Sequence, residues 1–175
     1  MTRFPAPVRF ALGLGGNVGP VREALRTALD RLAELLGPLD VAPLYRTAPV
    51  SPLPQPDFLN TAAAGRTTVP PAAALALARE LERAAGREPD RGGPSRDPAE
   101  RWGPRPLDVD LLVWGGLVSA DPDLTLPHPR LRERAFVLVP LADVAPDLPV
   151  PPDGATVAEL LARLGEVSGV ERAGW

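Results

Sequence analysis

A chain of 175 residues, 45% of them hydrophobic, can bury one core of ordinary size, and the absence of cysteine excludes disulfides, thiolate metal sites and thiol nucleophiles. A net charge of -3 speaks against general nucleic-acid binding, which draws on surplus Lys and Arg. No apolar run approaches the roughly 20 residues needed to cross a bilayer and the N-terminus lacks signal-peptide form, so residues 1–175 are expected to form a single cytoplasmic domain, a monomer with neither nucleic-acid nor membrane partner.

Residues 8–14 read as a short buried strand, and Gly15 to Pro20 as a tight turn. A helix follows, with Pro20 at its start and Val21, Leu25, Ala28, Leu29, Leu32, Leu35 and Leu36 as its apolar stripe; Gly37-Pro38 ends it. Leu39 to Arg46 reads as a strand. Prolines at 49, 52, 54 and 56 then impose a loop. Phe58 to Thr68 returns as a strand, and Pro70-Pro71 opens a second helix carrying Ala74, Leu75, Ala78, Leu81 and Ala85 inward until Gly86. Residues 86–106, rich in Arg, Gly, Pro and Asp, read as a long exposed loop before a strand at 107–114. The order β-α-β-β-α-β is ferredoxin-like: an α+β fold whose antiparallel sheet has both helices packed on one face. C-terminal additions follow: a hairpin around Gly115-Gly116, an extended piece at Phe136 to Val139, and a short helix announced by the Thr156-to-Glu159 capping box.

The chemistry concentrates at Arg101-Trp102-Gly103-Pro104-Arg105-Pro106-Leu107-Asp108-Val109-Asp110. Alternation along a strand turns Asp108 and Asp110 to one face and Leu107, Val109 and Leu111 to the other. With α-carbons about 7 Å apart by strand rise, two carboxylates can converge on a pair of magnesium ions roughly 3.5 to 4 Å apart. An isolated Asp-x-Asp reads more readily as the solvated face of an edge strand, and it is the context that changes the weighting. Here a Trp, a Gly-Pro turn and two Arg precede it, and Arg forks match phosphate geometry. A nucleotidyl cyclase or polymerase palm would also place paired carboxylates in such a fold. An RNA-recognition module would instead display aromatic residues on a basic sheet, against the acidic pair seen here.

The RWGPRPLDVDLL segment (101–112), with LGLGGNVG (12–19), YRTAPV and QPDFLN (45–60) and LTLPHPRLRERAFVLVPL (124–141), resembles the 6-hydroxymethyl-7,8-dihydropterin pyrophosphokinases of folate biosynthesis over nearly the whole chain. The resemblance implies a magnesium-dependent diphosphotransferase that moves pyrophosphate from its co-substrate ATP to the pterin hydroxymethyl group and releases AMP. It implies two Mg2+ ions on Asp108 and Asp110. Phe58 and Phe136 become the walls of a pterin slot, Asn60 a partner of the pterin's polar edge, and main-chain groups of Thr47, Ala48 and Val50 complete it. ATP is assigned to Glu82, Arg87, Arg101, Trp102, Arg105, Leu111, Thr125, His128 and Arg134, with Arg87 and Arg105 stabilising charge in the transition state. Phe58 stands where family members can carry Tyr, which leaves stacking without a ring hydroxyl. Asn17 is read as a turn or cap residue only.

Overall fold

β1 (Val8–Gly16) runs past Leu14 into the expected turn, because Gly15 and Gly16 still pair with Asn60 and Leu59. In the computed structural model, which describes residues 4–49, 54–86 and 103–175, α1 (Val21–Leu36) follows and buries Leu25, Ala28, Leu32 and Leu36 at helical spacing. Gly37, at φ 100°, stops it in a conformation that side chains disfavour. The single strand expected at 39–46 divides into β2 (Leu39–Val41) and β3 (Leu44–Thr47). Pro43 has no N–H to continue a ladder, yet both pieces pair with β4 (Phe58–Thr67). α2 (Pro71–Ala84) starts on Pro71, where a missing N–H costs nothing, and β5 (Asp108–Trp114) carries the two carboxylates.

Past β5 come β6 (Ser119–Asp121), β7 (Leu124–Leu126), α3 (Ala135–Val144), β8 (Pro149–Val150), β9 (Ala155–Thr156), α4 (Val157–Arg163) and β10 (Val170–Ala173). The main sheet has the order β10-β3-β4-β1-β5 with antiparallel pairing, so β1–α1–β3 leaves room for β4 and β4–α2–β5 leaves room for β1. This is the ferredoxin-like interleaving expected from the element order. Among the described residues, no helix is long and apolar enough to cross a membrane.

Two cores share the sheet. Phe10, Leu12 and Leu14 of β1 meet Val109, Leu111 and Trp114 of β5 beneath α1 and α2, on the face expected for those helices. Ala11, Ala62, Ala64, Leu112 and Val113 form the other face, covered by Leu138 and Leu141 of α3 and by Val157 and Leu160 of α4. A bulge makes both cores compatible with one strand. The β1–β5 register slips between Ala11 and Leu12, so Leu112 and Val113 both enter the second core and Trp114 returns to the first, stacked on Phe10 at 5.0 Å. Strict alternation would have put Trp114 on the same face as Asp108 and Asp110.

Two C-terminal expectations are corrected. Gly115 turns the chain, but β6 does not fold back on β5; it pairs with β7, because the free edge of β5 is met by the segment that follows, where the N–H of His128 donates to the carbonyl of Leu112 at 2.8 Å. Phe136 to Val139 is not extended but lies in α3. A Phe-Val-Leu-Val run favours strands and Pro140 cannot donate within a helix. Burial of Val137, Leu138 and Leu141 against rows of alanine overrides both preferences. Leu138 is fully buried, and Leu138→Ala should lower the unfolding free energy in urea by about 3 kcal/mol; a loss below about 1 kcal/mol would contradict this packing. The final helix does carry its capping box, with Thr156 N–H donating to Glu159 and Glu159 N–H to Thr156 Oγ1.

Candidate active site

The register assembles the site on the face that α3 and α4 leave partly open. Thr47 pairs with Phe58; Tyr45, Asn60, Gly15 and Asp108 form one row across four strands; Ala62, Gly13 and Asp110 form the next. The central strand presents only glycines between Asn60 and the carboxylates, which leaves a side-chain-free floor. A Cβ on Gly15 would lie 2.5 Å from Asn60 Oδ1 and 3.3 Å from the carbonyl of Leu59. The buried Asn60 amide donates from Nδ2 to Thr47 Oγ1 at 2.7 Å, which holds its plane and leaves Oδ1 toward the floor. Phe58, half-buried, precedes Asn60 by two residues and so lies on the same face.

At the other side of the floor, Arg105 Nη1 donates to both oxygens of Asp108 at 3.1 Å each. His128 Nε2 and Arg134 Nη1 stand 3.8 Å and 4.0 Å from Asp110 Oδ2. The edge of β5 is tied to α2 where the Val109 N–H donates to Glu82 Oε1 at 2.8 Å. Burial, then the charge of Asp108, push the Asp110 carboxyl up to about 7; Glu82 adds to this while Arg134 and Arg105 oppose it. Asp110 keeps 34% of its side-chain surface accessible, so it lies in a concave, protein-lined position that still opens to solvent. His128 is pushed down to about 4, first by burial and next by Arg134. The ring is therefore neutral near pH 7. Its Nδ1 accepts the Arg130 N–H at 3.1 Å, which assigns the proton to Nε2, the nitrogen facing Asp110.

Phe136 sits in the first turn of α3 with the Arg134 guanidinium 5.4 Å from its ring centre. The structure thus brings Arg105, Asp108, Asp110, His128 and Arg134 together, with Glu82 behind them and Thr47, Phe58 and Asn60 across the floor. Ala48 follows β3 and is exposed. The Leu111 side chain lies in the first core, on the reverse face, so only its main chain is available to a nucleotide. Thr125 donates to the carbonyl of Asp121 within its own hairpin. Val50, Arg87, Arg101 and Trp102 lie outside the described residues.

Two features escaped sequence reading. The glycine floor shows only once the register is known. Asn17, read as a turn residue, is buried and bonded to both loops that flank the site; an Asn inside a glycine-rich turn was the one hint of it. No group of three or more His, Cys, Asp or Glu gathers among the described residues. Two adjacent carboxylates on an open edge suit a hard cation that draws its remaining ligands from phosphate oxygens and water, the usual habit of magnesium.

Residues 11–146 match the family described as 7,8-dihydro-6-hydroxymethylpterin-pyrophosphokinase. Over 166 residues the sequence is 43% identical to the 2-amino-4-hydroxy-6-hydroxymethyldihydropteridine pyrophosphokinase of Methylorubrum extorquens, a match covering 94% of this chain and 98% of that one. The protein of the same name from Pseudomonas aeruginosa is 40% identical over 166 residues, 94% of this chain and 96% of its own. Among solved structures, the wild-type Plasmodium falciparum HPPK-DHPS with pteroate superposes with a TM-score of 0.68 at 13% identity, over 95% of this chain and 48% of that one. The same protein with pterin and p-hydroxybenzoate gives 0.62 at 15% identity, over 93% and 42%. The chain spans less than half the length of these solved chains, and at such identities the likeness concerns the fold.

Proposed function

The chain belongs to the 7,8-dihydro-6-hydroxymethylpterin-pyrophosphokinase family, and from that premise we propose how its own residues carry out the reaction. The activity is pyrophosphate transfer from ATP to 6-hydroxymethyl-7,8-dihydropterin in folate synthesis. The hydroxymethyl oxygen bonds to the β-phosphorus of ATP and gives up its proton to solvent, the bond from that phosphorus to the α–β bridging oxygen breaks, and AMP leaves.

Phe58 and Phe136 stack on the two faces of the pterin, while Asn60 Oδ1 and main-chain groups of Thr47, Ala48 and Val50 hold its polar rim. His128 donates from Nε2 to a phosphate oxygen without adding charge, and Arg134 and Arg105 supply the fixed positive charges. Arg87, Arg101 and Trp102, with Glu82, Thr125 and the main chain of Leu111, complete the ATP contacts. Asp108 and Asp110 would hold two magnesium ions, which would supply charge neutralisation for the phosphate oxygens. Residues 1–175 act as one domain, a cytoplasmic monomer with small-molecule partners only; two cores sharing one sheet support the single unit.

The observation that carries this reading is the shared face: Thr47, Phe58 and Asn60 on one side of a glycine floor, Asp108 and Asp110 on the other. Its test is AMP release from ATP and magnesium with and without the pterin. Pterin-dependent AMP is expected; ADP or free pyrophosphate in its place would contradict it. A second test uses protonation. Because the Asp110 carboxyl is held up to about 7, a proton competes with the cation below that pH. Magnesium affinity by calorimetry should be about tenfold weaker at pH 6 than at pH 8, whereas an equal affinity at both would remove Asp110 from the metal site.

A further inference from the structure

Asn17 is 6% exposed, and its side chain is fully engaged. Nδ2 donates to Gln55 Oε1 at 2.9 Å and to the carbonyl of Pro56 at 3.0 Å; Oδ1 accepts the Arg105 N–H at 2.8 Å. Its main-chain N–H donates to the carbonyl of Arg105, also at 2.8 Å. One residue therefore ties the segment leading to Phe58 to the segment leading to Asp108. A residue that only shapes a turn bonds locally, but these side-chain partners are 38, 39 and 88 residues away. The neighbouring Gly16 permits the approach, since a Cβ there would lie 2.5 Å from the carbonyl oxygen of Pro106.

We propose that Asn17 is a positioning residue for the transfer, one that sets the spacing between the pterin wall and the carboxylate strand. The proposal rests on the site reading given above. In-line transfer needs two substrates, held by different loops, to be aligned within a fraction of an ångström, and a misplacement of about 1 Å costs about 10²-fold. A buried amide suits the task because its two ends are chemically distinct. The donor end serves the pterin side and the acceptor end serves the nucleotide side, so the two can be cut separately. Asn17→Asp keeps an acceptor for Arg105 and places a second one against the carbonyl of Pro56, which cannot turn away as Gln55 can. Asn17→Ala removes both ends.

The experiment is steady-state kinetics in both substrates, with calorimetric ATP binding and thermal melts, on wild type, Asn17→Asp, Asn17→Ala and Phe58→Ala. Asn17→Asp should raise the pterin KM about tenfold, the worth of one or two lost hydrogen bonds, and leave the ATP Kd within about twofold. Asn17→Ala should in addition lower kcat by about 10²-fold. A lower Tm with KM and kcat of both variants within about twofold of wild type would overturn the proposal, because that is the mark of a stabilising bond alone. Should either variant fail to fold, the other carries the same split between KM and kcat. Phe58→Ala separates the two readings: if it too leaves the pterin KM unchanged, the pterin slot is wrong, whereas a raised KM there with normal Asn17 variants condemns only the coupling.

Discussion

Asp110→Asn should abolish pterin-dependent AMP release, with a loss in kcat of about 10³-fold or more and no loss of fold. The substitution keeps the volume of the side chain and removes one of two carboxylates that share a face of β5. Charge neutralisation of transferring phosphate is worth several kcal/mol, and about 4 kcal/mol corresponds to 10³-fold in rate. The same change has an opposite signature in stability, which separates a functional role from a structural one. The folded-state carboxyl is held up to about 7 against an ordinary 3.8, so the unfolded chain ionises first as pH rises. Wild-type stability without metal therefore falls between about pH 4 and pH 7 relative to the Asn variant, and the deficit persists above that range. Unfolding free energies of both proteins across that window would check this. An Asn variant that turns over normally would remove Asp110 from the chemistry; one less stable than wild type at pH 8 would make it a structural carboxylate.

Gly15→Ala should lower kcat/KM for the pterin by about 10²-fold while leaving ATP binding in place. The added Cβ would lie 2.5 Å from Asn60 Oδ1, closer than side-chain carbons come to any neighbour. Something must move, and the choice is narrow. Asn60 is short and its Nδ2 is bonded to Thr47 Oγ1, while the other near atom is the main-chain carbonyl of Leu59 at 3.3 Å, in the ladder. On the proposed site, displacing Asn60 would cost the pterin rim its partner, and a methyl on the floor would narrow the slot itself. If the floor reading holds, Gly15→Ala and Asn60→Ala are non-additive, since each disables the same contact. A Gly15→Ala enzyme within about threefold of wild type would show that the slot does not cross this strand.

Much of the candidate site was legible because its signals are local. Alternation alone sets Asp108 and Asp110 on one side of β5, and Pro, Gly and apolar spacing locate α1, α2 and the strands between them to within a residue or two. Phe58, Asn60, His128 and Arg134 were picked out by likeness to a family, not by any local signal. Where local preference and packing disagreed, packing prevailed. The Phe136 run became the start of α3 because an alanine-lined face lay beneath it. The strand at 39–46 broke for a local reason instead, since Pro43 cannot donate.

The amino-acid sequence determined the element order of the β-α-β-β-α-β core, the inward stripes of both core helices and the pairing of two carboxylates, since each depends on residues a few positions apart. Tertiary structure decided the rest. The bulge at Leu112, the glycine floor set by the register of three strands, the burial of Asp110 near Glu82 and Arg134 and the reach of Asn17 to Pro56 and Arg105 all arise between segments distant in the chain. Such contacts depend on which backbones lie side by side, and that is settled by burial of the whole core.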